Sequence, residues 1–362
     1  MSVLQKEKLA EKILAFVAQR GSCLFAGAGV GKKAGLPSWP EYLAHLSSVA
    51  GQYEEETAIL MRKRVVENYY LEAAQLYKSC VVIPSGEKYK QLVSPFISNP
   101  RYSPNNLRAL MALPFSAVVT TNYDRSLHDA YYSLYEKQEE SGLRLKAPLY
   151  VELGDASMKR AIYWTDFYIA RVHGRIEIPD SMVLCRDDYR RTEEDPSYQD
   201  FLLHVLTRYR CLWVGYSFVD PAITRIFELM CEVLPQPYTQ LHLALLPSDC
   251  DPKLRGELAR YNIEVVEYDP ETDHEDLWES IKEAQRQIRT SPREAPDKVE
   301  SLPGLGRFLA SCYSRLKLGV KAEPLVEIVA EGIVAQEIAD SGLKGTAKSV
   351  LRQSLRKYFG LA

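Results

Sequence analysis

The 362-residue chain reads as an α/β protein: a Rossmann-like, mostly parallel sheet with a helical insertion, followed by a C-terminal all-helical segment. Three observations predict this. Short apolar, β-branched runs alternate with helical stretches, the pattern of a parallel sheet covered on both faces. The first such run, Ser22 to Ala26, leads into a glycine cluster, as a buried strand entering a tight turn does. Beyond Pro303 no strand candidate remains.

Leu4, Leu9, Ile13, Leu14 and Val17 recur at helical spacing between Val3 and Ala18, and Gly21 ends that helix. Pro40 to Val49 restarts a helix, with Pro40 suited to its first turn. Glu54 to Cys80 has no Gly or Pro and predicts one long helix, and Glu87 to Ile97 predicts another. Together they suggest a helical insertion over about residues 52–113, whose last helix opens at Ser103 and Pro104. Ala117 to Thr121 predicts a strand, Asp124 to Tyr135 a helix, and Leu149 to Val172 short strand pieces ending in Ile169 to Val172. Pro196 to Arg208 and Pro221 to Val233 read as helices around a buried strand, Cys211 to Tyr216. Leu241 to Leu246, Pro252 to Arg260 and Ile263 to Tyr268 read as strand, helix, strand, and His274 to Ile288 closes a domain over residues 1–289. Three prolines among Thr290 to Pro303 predict a linker, with a helical region over 304–362.

Hydrophobic residues make up 46% and charged residues 26%, ordinary values for a soluble globular protein. A net charge of −3 argues against a polyanion binder, so nucleic acid contact is expected to be indirect or weak. No eighteen-residue apolar run exists, so no membrane helix is expected. Lys6, Glu7, Lys8, Glu11 and Lys12 break up any signal-peptide pattern, which predicts a cytoplasmic protein. The 7 cysteines form no C-x-x-C pair, and no two of the 6 histidines stand at metal-ligand spacing. No metal is expected.

Gly27, Ala28, Gly29, Val30 and Gly31 follow the first strand and precede a helical start. Such a turn lets backbone N–H groups approach a phosphate closely. The spacing is G-x-G-x-G rather than G-x-G-x-x-G, and a tight turn without a ligand is the plainer reading. A P-loop reading fails because Lys33 stands where a Mg²⁺-binding Ser or Thr belongs. Asn122 ends the AVVTT strand, at the sheet edge where ligands bind in open α/β folds. Its amide can hold a water and a hydroxyl together, or Asn122 or Asp124 can cap the following helix. His173 ends another strand before Gly174 and can act as a general base near neutral pH. Gly215, Tyr216 and Ser217 form a strand-end turn able to contact a ribose or phosphate, and Asp220 can bind a hydroxyl or cap the next helix. Trp39 reads as core or pocket wall, and His128 as a surface or packing residue.

Five blocks occur in order: the glycine turn with Gly35-Leu36-Pro37-Ser38-Trp39; Thr120-Thr121-Asn122-Tyr123-Asp124; Val172-His173-Gly174; Asp187-Asp188-Tyr189; and Gly215-Tyr216-Ser217-Phe218-Val219-Asp220-Pro221. Over roughly residues 20–290 the set resembles the SIR2-like family of prokaryotic NAD-consuming proteins. The resemblance implies NAD⁺ as substrate, Asn122 and His173 as catalytic residues, and contacts to NAD⁺ from Gly27, Ala28, Gly29, Val30, Gly31, Asp124, Gly215, Tyr216, Ser217 and Asp220. Sirtuin deacetylases differ: they carry a G-I-P-D-F-R segment, a Gln-Asn-x-Asp segment and a four-cysteine zinc module, none of which is present here. The resemblance therefore implies an NAD⁺ glycohydrolase releasing nicotinamide and ADP-ribose as an antiphage, NAD-depleting effector. Protein ADP-ribosylation or deacylation, or a non-catalytic NAD- or ADP-ribose-binding module, are the alternatives. It also implies a homo-oligomer and a separate HerA-type ATPase or helicase, or another sensor protein, as partner. Lys344, Lys348, Arg352 and Arg356 share one face of the tail's last helix, as a docking surface or a solvated face.

Overall fold

The computed structural model describes residues 3–19, 21–85, 90, 105–137, 145–164, 166–233 and 241–290. The helix expected over Glu87 to Ile97, the linker and the C-terminal helical region lie outside them, apart from Lys90 and Thr290.

Seven strands form one parallel sheet: β1 (Ser22–Ala26), β2 (Ala117–Thr120), β3 (Leu149–Glu152), β4 (Tyr168–Arg171), β5 (Arg210–Val214), β6 (His242–Pro247) and β7 (Ile263–Tyr268). Their order is β3-β4-β2-β1-β5-β6-β7. The chain builds leftward from β1 and then crosses over to β5, so the order reverses between β1 and β5. In open α/β sheets ligands bind outside the carboxyl ends of the strands at such a reversal.

Alternation within each strand divides the core. Cys23 and Phe25 of β1 face one layer together with Val119, Trp213 and Ala244. Leu24 and Ala26 face the other, with Val118, Leu212 and Leu245. Period-2 side chains on a fully covered strand produce this division. The first layer is closed by α7 (Ala156–Ala161), α9 (Pro196–Arg208), α10 (Pro221–Val233) and α11 (Pro252–Arg260). The second is closed by α1 (Val3–Val17), α5 (Asn105–Met111), α6 (Ser126–Glu136) and α12 (Glu275–Thr290).

The helices expected as an insertion divide between two cores. α3 (Glu55–Val66) and α4 (Tyr70–Ser85) join α2 (Trp39–Ala50) in a third cluster, where Leu43, Leu46, Met61 and Tyr77 are fully buried. That cluster includes Ile176, Met182, Leu184 and Cys185, so the helical unit packs against the loop that follows His173. α5 instead packs on the sheet. The single long helix expected from Glu54 to Cys80 is two helices. Asn68 takes a left-handed φ of 63° between them, a conformation asparagine tolerates better than most residues. Trp39 is half-buried against this third cluster.

Sequence analysis did not predict α8 (Arg186–Glu194). Its residues are almost all charged, and only Asp188, Tyr189 and Thr192 are buried. Asp188 holds the helix in place. Its Oδ2 accepts from the N–H groups of Leu184 and Cys185, and its Oδ1 pairs with Lys90 at 2.8 Å. Both members of that pair are almost wholly buried, so removing Asp188 would leave the Lys90 charge uncompensated, whereas Asp188 also pairs with Arg191.

Candidate active site

The carboxyl ends of β4, β2, β1 and β5 lie side by side, and each carries one segment of the site. After β1 the chain enters the glycine turn, where Ala28–Ala34 forms a 3-10 helix. The turn is bound to the β5 end. The Gly27 N–H donates to the Val214 carbonyl at 3.0 Å and the Gly29 N–H to the Gly215 carbonyl at 2.9 Å. Gly215 has φ +61°, and a Cβ there would lie 2.5 Å from the Val30 nitrogen. Both observations require glycine: the left-handed conformation costs other residues about 1–2 kcal/mol, and the neighbouring backbone leaves no room. Gly215→Ala should therefore lower stability by more than about 1 kcal/mol in thermal unfolding. Gly256→Ala is the control, because Gly256 lies in α11 with open space around it and should be neutral or mildly stabilising. Equal melting temperatures for the two variants would refute this account of the turn.

After β2, Thr120 Oγ1 donates to the Ala26 carbonyl at 2.9 Å and accepts from the Asn122 N–H at 3.1 Å. The Asn122 side chain then donates from Nδ2 to the Gly27 carbonyl at 3.2 Å. Only the NH₂ group can face a carbonyl, which sets the amide's orientation. Asn122 is therefore no helix cap. Asp124 sits one residue before the Arg125 N-cap, and its Oδ1 accepts from the Ser126 N–H at 2.8 Å at the start of α6. Burial raises the Asp124 pKa above the usual carboxylate range. Asp124 is nearly inaccessible, and its resolved hydrogen bond is structural rather than directed at a ligand.

After β4, His173 is buried, with 3% of its surface exposed. Its carbonyl accepts from the Val183 N–H at 2.9 Å, which ties it to the loop beneath the helical unit. Gly174 follows with φ +84°, and a Cβ there would meet the Ser181 carbonyl oxygen at 2.1 Å. The strand end just before His173 is anchored by Arg171. Its Nη2 donates to Glu152 Oε1 at 2.8 Å, and its Nη1 donates to Glu177 Oε2 at 2.9 Å and to the Tyr123 carbonyl at 3.3 Å. One buried guanidinium thus joins the ends of β3 and β4 to the Asn122 loop.

After β5, Phe218 holds φ +58°, which is strained for a bulky residue. Asp220 is also buried. Its Oδ1 accepts from the N–H groups of Ala222 and Ile223 at the start of α10, at 3.0 and 3.2 Å. Its Oδ2 lies 3.1 Å from His173 Nε2. That approach is out of line for a formed hydrogen bond, and Nε2 makes none among the described residues. Burial lowers the His173 pKa and the nearby Asp220 carboxylate partly opposes it, so the imidazole is neutral near pH 7. The Tyr216 ring lies in the core against Phe25, Trp213 and Phe218. Ser217 is exposed beside it.

A cleft of about 590 Å³ opens on the other side of the glycine turn. Gly29, Val30, Lys32, Val214 and Gly215 meet Tyr268, Asp273, His274, Leu277 and Trp278 across it. Neither Asn122 nor His173 lines it. Two consecutive non-glycine residues in its wall, Asp273 and His274, have φ +52° and +61°. Sequence analysis missed Tyr268, Asp273 and His274. The available signal was position, since the end of β7 lies on the same carboxyl edge as the glycine turn. His128 is not a surface residue: it is 4% exposed and stacks on Tyr150 at 5.1 Å between ring centroids.

Residues 116–266 match the family model described as SIR2-like domain. Over that stretch the chain is similar to the SIR2-like family. The matched region starts just before β2 and includes Asn122, His173 and Asp220, while the glycine turn precedes it. Two curated relatives match a larger share of the chain. One is the NAD(+) hydrolase ThsA of Enterococcus faecium, 25% identical over 306 residues, covering 77% of this chain and 59% of that protein. The other is the NAD(+) hydrolase ThsA of Bacillus cereus strain MSX-D12, 24% identical over 291 residues, covering 76% and 56%. This chain therefore spans little more than half the length of those proteins. No described helix is long and apolar enough to cross a membrane. No cluster of three or more His, Cys, Asp or Glu among the described residues could hold a metal ion.

Proposed function

We propose that this protein is an NAD⁺ glycohydrolase that cleaves the bond between nicotinamide and ribose, with water as acceptor. The observation that carries the reading is the bond from the Asn122 amide to the Gly27 carbonyl. It fixes a polar side chain against a phosphate-type glycine turn at the sheet's reversal point, on the same carboxyl edge as a buried, neutral histidine. The names of the relatives support the same reaction. The nucleoside half of NAD⁺ would occupy the 590 Å³ cleft, a size typical of small-ligand sites. The pyrophosphate would lie on the turn from Gly27 to Gly31 and against Gly215, and the nicotinamide riboside would reach Asn122 and His173.

When the C1′–N bond breaks, its electron pair leaves with the ring nitrogen, so nicotinamide departs neutral and positive charge develops on the ribose. Asn122 orients a water and a ribose hydroxyl, and neutral His173 accepts the proton lost as water bonds to C1′. In balance, NAD⁺ and water give nicotinamide, ADP-ribose and one proton. Asp124 and Tyr216 serve by holding the loops, while Ser217 and the glycine backbone contact the substrate. Unrestrained NAD⁺ consumption is toxic to a cell, so we assign the protein to inducible NAD depletion in antiphage defence. It would be restrained until a homo-oligomer forms or a sensor engages, a HerA-type ATPase being one such partner.

The test is incubation with NAD⁺, alone and with the products of neighbouring genes, with chromatography of the products. Free nicotinamide and ADP-ribose in equal amounts are expected in the cytoplasm-like buffer that supports activity. ADP-ribose attached to protein would redirect the reading to a transferase. Absence of nicotinamide under every condition would overturn it.

A further inference from the structure

Asp220 caps α10, one of the two roles its sequence position suggests, and the structure adds a second relation. One oxygen is held by the N–H groups of Ala222 and Ile223 at the start of α10. The other lies beside His173, 3.1 Å from Nε2. With 8% of Asp220 and 3% of His173 exposed, little water screens the contact. We infer that Asp220 is the positioning residue of His173: it fixes which imidazole nitrogen faces the substrate and stabilises the imidazolium formed when His173 takes a proton. This rests on the glycohydrolase reading and deepens it.

The tautomer follows from the chemistry. A carboxylate beside Nε2 favours the proton on that nitrogen, which leaves Nδ1 as the basic lone pair. Nδ1 makes no hydrogen bond within the described residues, so it is the nitrogen available to a water or ribose hydroxyl. The offset between Asp220 and the Nε2–H direction is closed by a small ring rotation, as catalytic hydrogen bonds often tighten only once substrate is bound. The surroundings hold the carboxylate still. Tyr189 meets the imidazole edge-on at 5.5 Å. The Asp220 charge also raises the pKa values of Tyr189, Tyr198 and Tyr216 beyond the effect of their burial, so those phenols stay neutral around it. The contact joins the end of β4 to the start of α10. A shift of the α10 N-terminus would therefore reach the base directly.

The test is Asp220→Asn, which keeps an oxygen for the two α10 N–H groups and nearly the same shape but removes the charge. In the activated protein kcat for nicotinamide release should fall about 10- to 100-fold with KM for NAD⁺ changed less than about threefold. The acid limb of the kcat–pH profile should move to lower pH, because His173 loses the charge that holds its proton. A second readout needs no turnover: the His173 ring signal, assigned by its loss in His173→Gln, should titrate at lower pH in Asp220→Asn than in wild type. The titratable groups to account for are Asp220 on the α10 side and the neutral phenols of Tyr123 on the Asn122 loop, Tyr189 on α8, Tyr198 on α9 and Tyr216. An unchanged pH limb and an unchanged His173 titration would overturn the inference, even if kcat falls. Loss of nicotinamide release in Asn122→Ala alongside an unaltered Asp220→Asn would overturn it while leaving the glycohydrolase reading intact.

Discussion

Asn122→Ala and His173→Ala should each slow nicotinamide release by at least about 100-fold, the usual contribution of a positioned acid–base group. The two losses should differ in kind. Asn122 also satisfies the Gly27 carbonyl, so its removal leaves a buried acceptor without its donor and costs roughly 1–3 kcal/mol of stability. His173→Ala leaves the Asp220 carboxylate facing a cavity, while the α10 cap stays formed through Oδ1. Both proteins should remain folded, with cooperative thermal transitions. The measurement is the initial rate of nicotinamide release at saturating NAD⁺, beside a melting curve for each variant. Wild-type rates in both variants would remove these residues from the reaction.

Mild acid should destabilise this protein. Burial pushes His128, His204 and His242 down to about 3, against about 6.5 in an unfolded chain. The unfolded state therefore binds protons that the folded state refuses. The stability is fully present above about pH 6.5 and is lost as pH falls toward 3. At pH 5 each histidine accounts for about 2 kcal/mol. Three together are comparable with the whole stability of many domains. His173 is shifted in the same direction and adds to the effect. The local geometry explains the shifts. His242 Nδ1 accepts from the Cys211 N–H at 3.0 Å deep in the sheet, Arg208 lies against His204, and neither nitrogen of His128 has a hydrogen-bond partner among the described residues. Thermal unfolding at pH 5.0 should occur about ten degrees or more below that at pH 7.5. His128→Phe keeps the stack on Tyr150 and should flatten the dependence. Equal melting temperatures at the two pH values would contradict the buried neutral state.

Asn122 and Asp124 show how far the site was legible. Both are cap-forming residues two positions apart at a strand end, and local chemistry suits either to start the helix. The distinction depends on the Gly27 carbonyl, ninety-five residues away in the chain. The strands were legible because apolar runs between turn residues leave few other choices. α8 was not, because a helix with one narrow buried face of Asp188, Tyr189 and Thr192 has no apolar periodicity. Asn68 broke one expected helix into two through a backbone conformation that composition does not reveal. The cleft residues Tyr268, Asp273 and His274 escaped notice because they lie more than two hundred residues from the turn they face.

The sequence by itself determined the parallel α/β architecture, the glycine turn after the first strand, and the polar residues at the strand ends. These are local properties: period-2 and helical spacing, β-branching, and residues that turn the chain. Only the tertiary structure decided which strand ends are neighbours, and with them the partners Gly27 for Asn122 and Asp220 for His173. The reversal of strand order between β1 and β5 brings those segments to one edge, and no spacing along the chain encodes that adjacency. Burial did the rest. It keeps His173 neutral and gives one carboxylate both a cap to hold and a base to face.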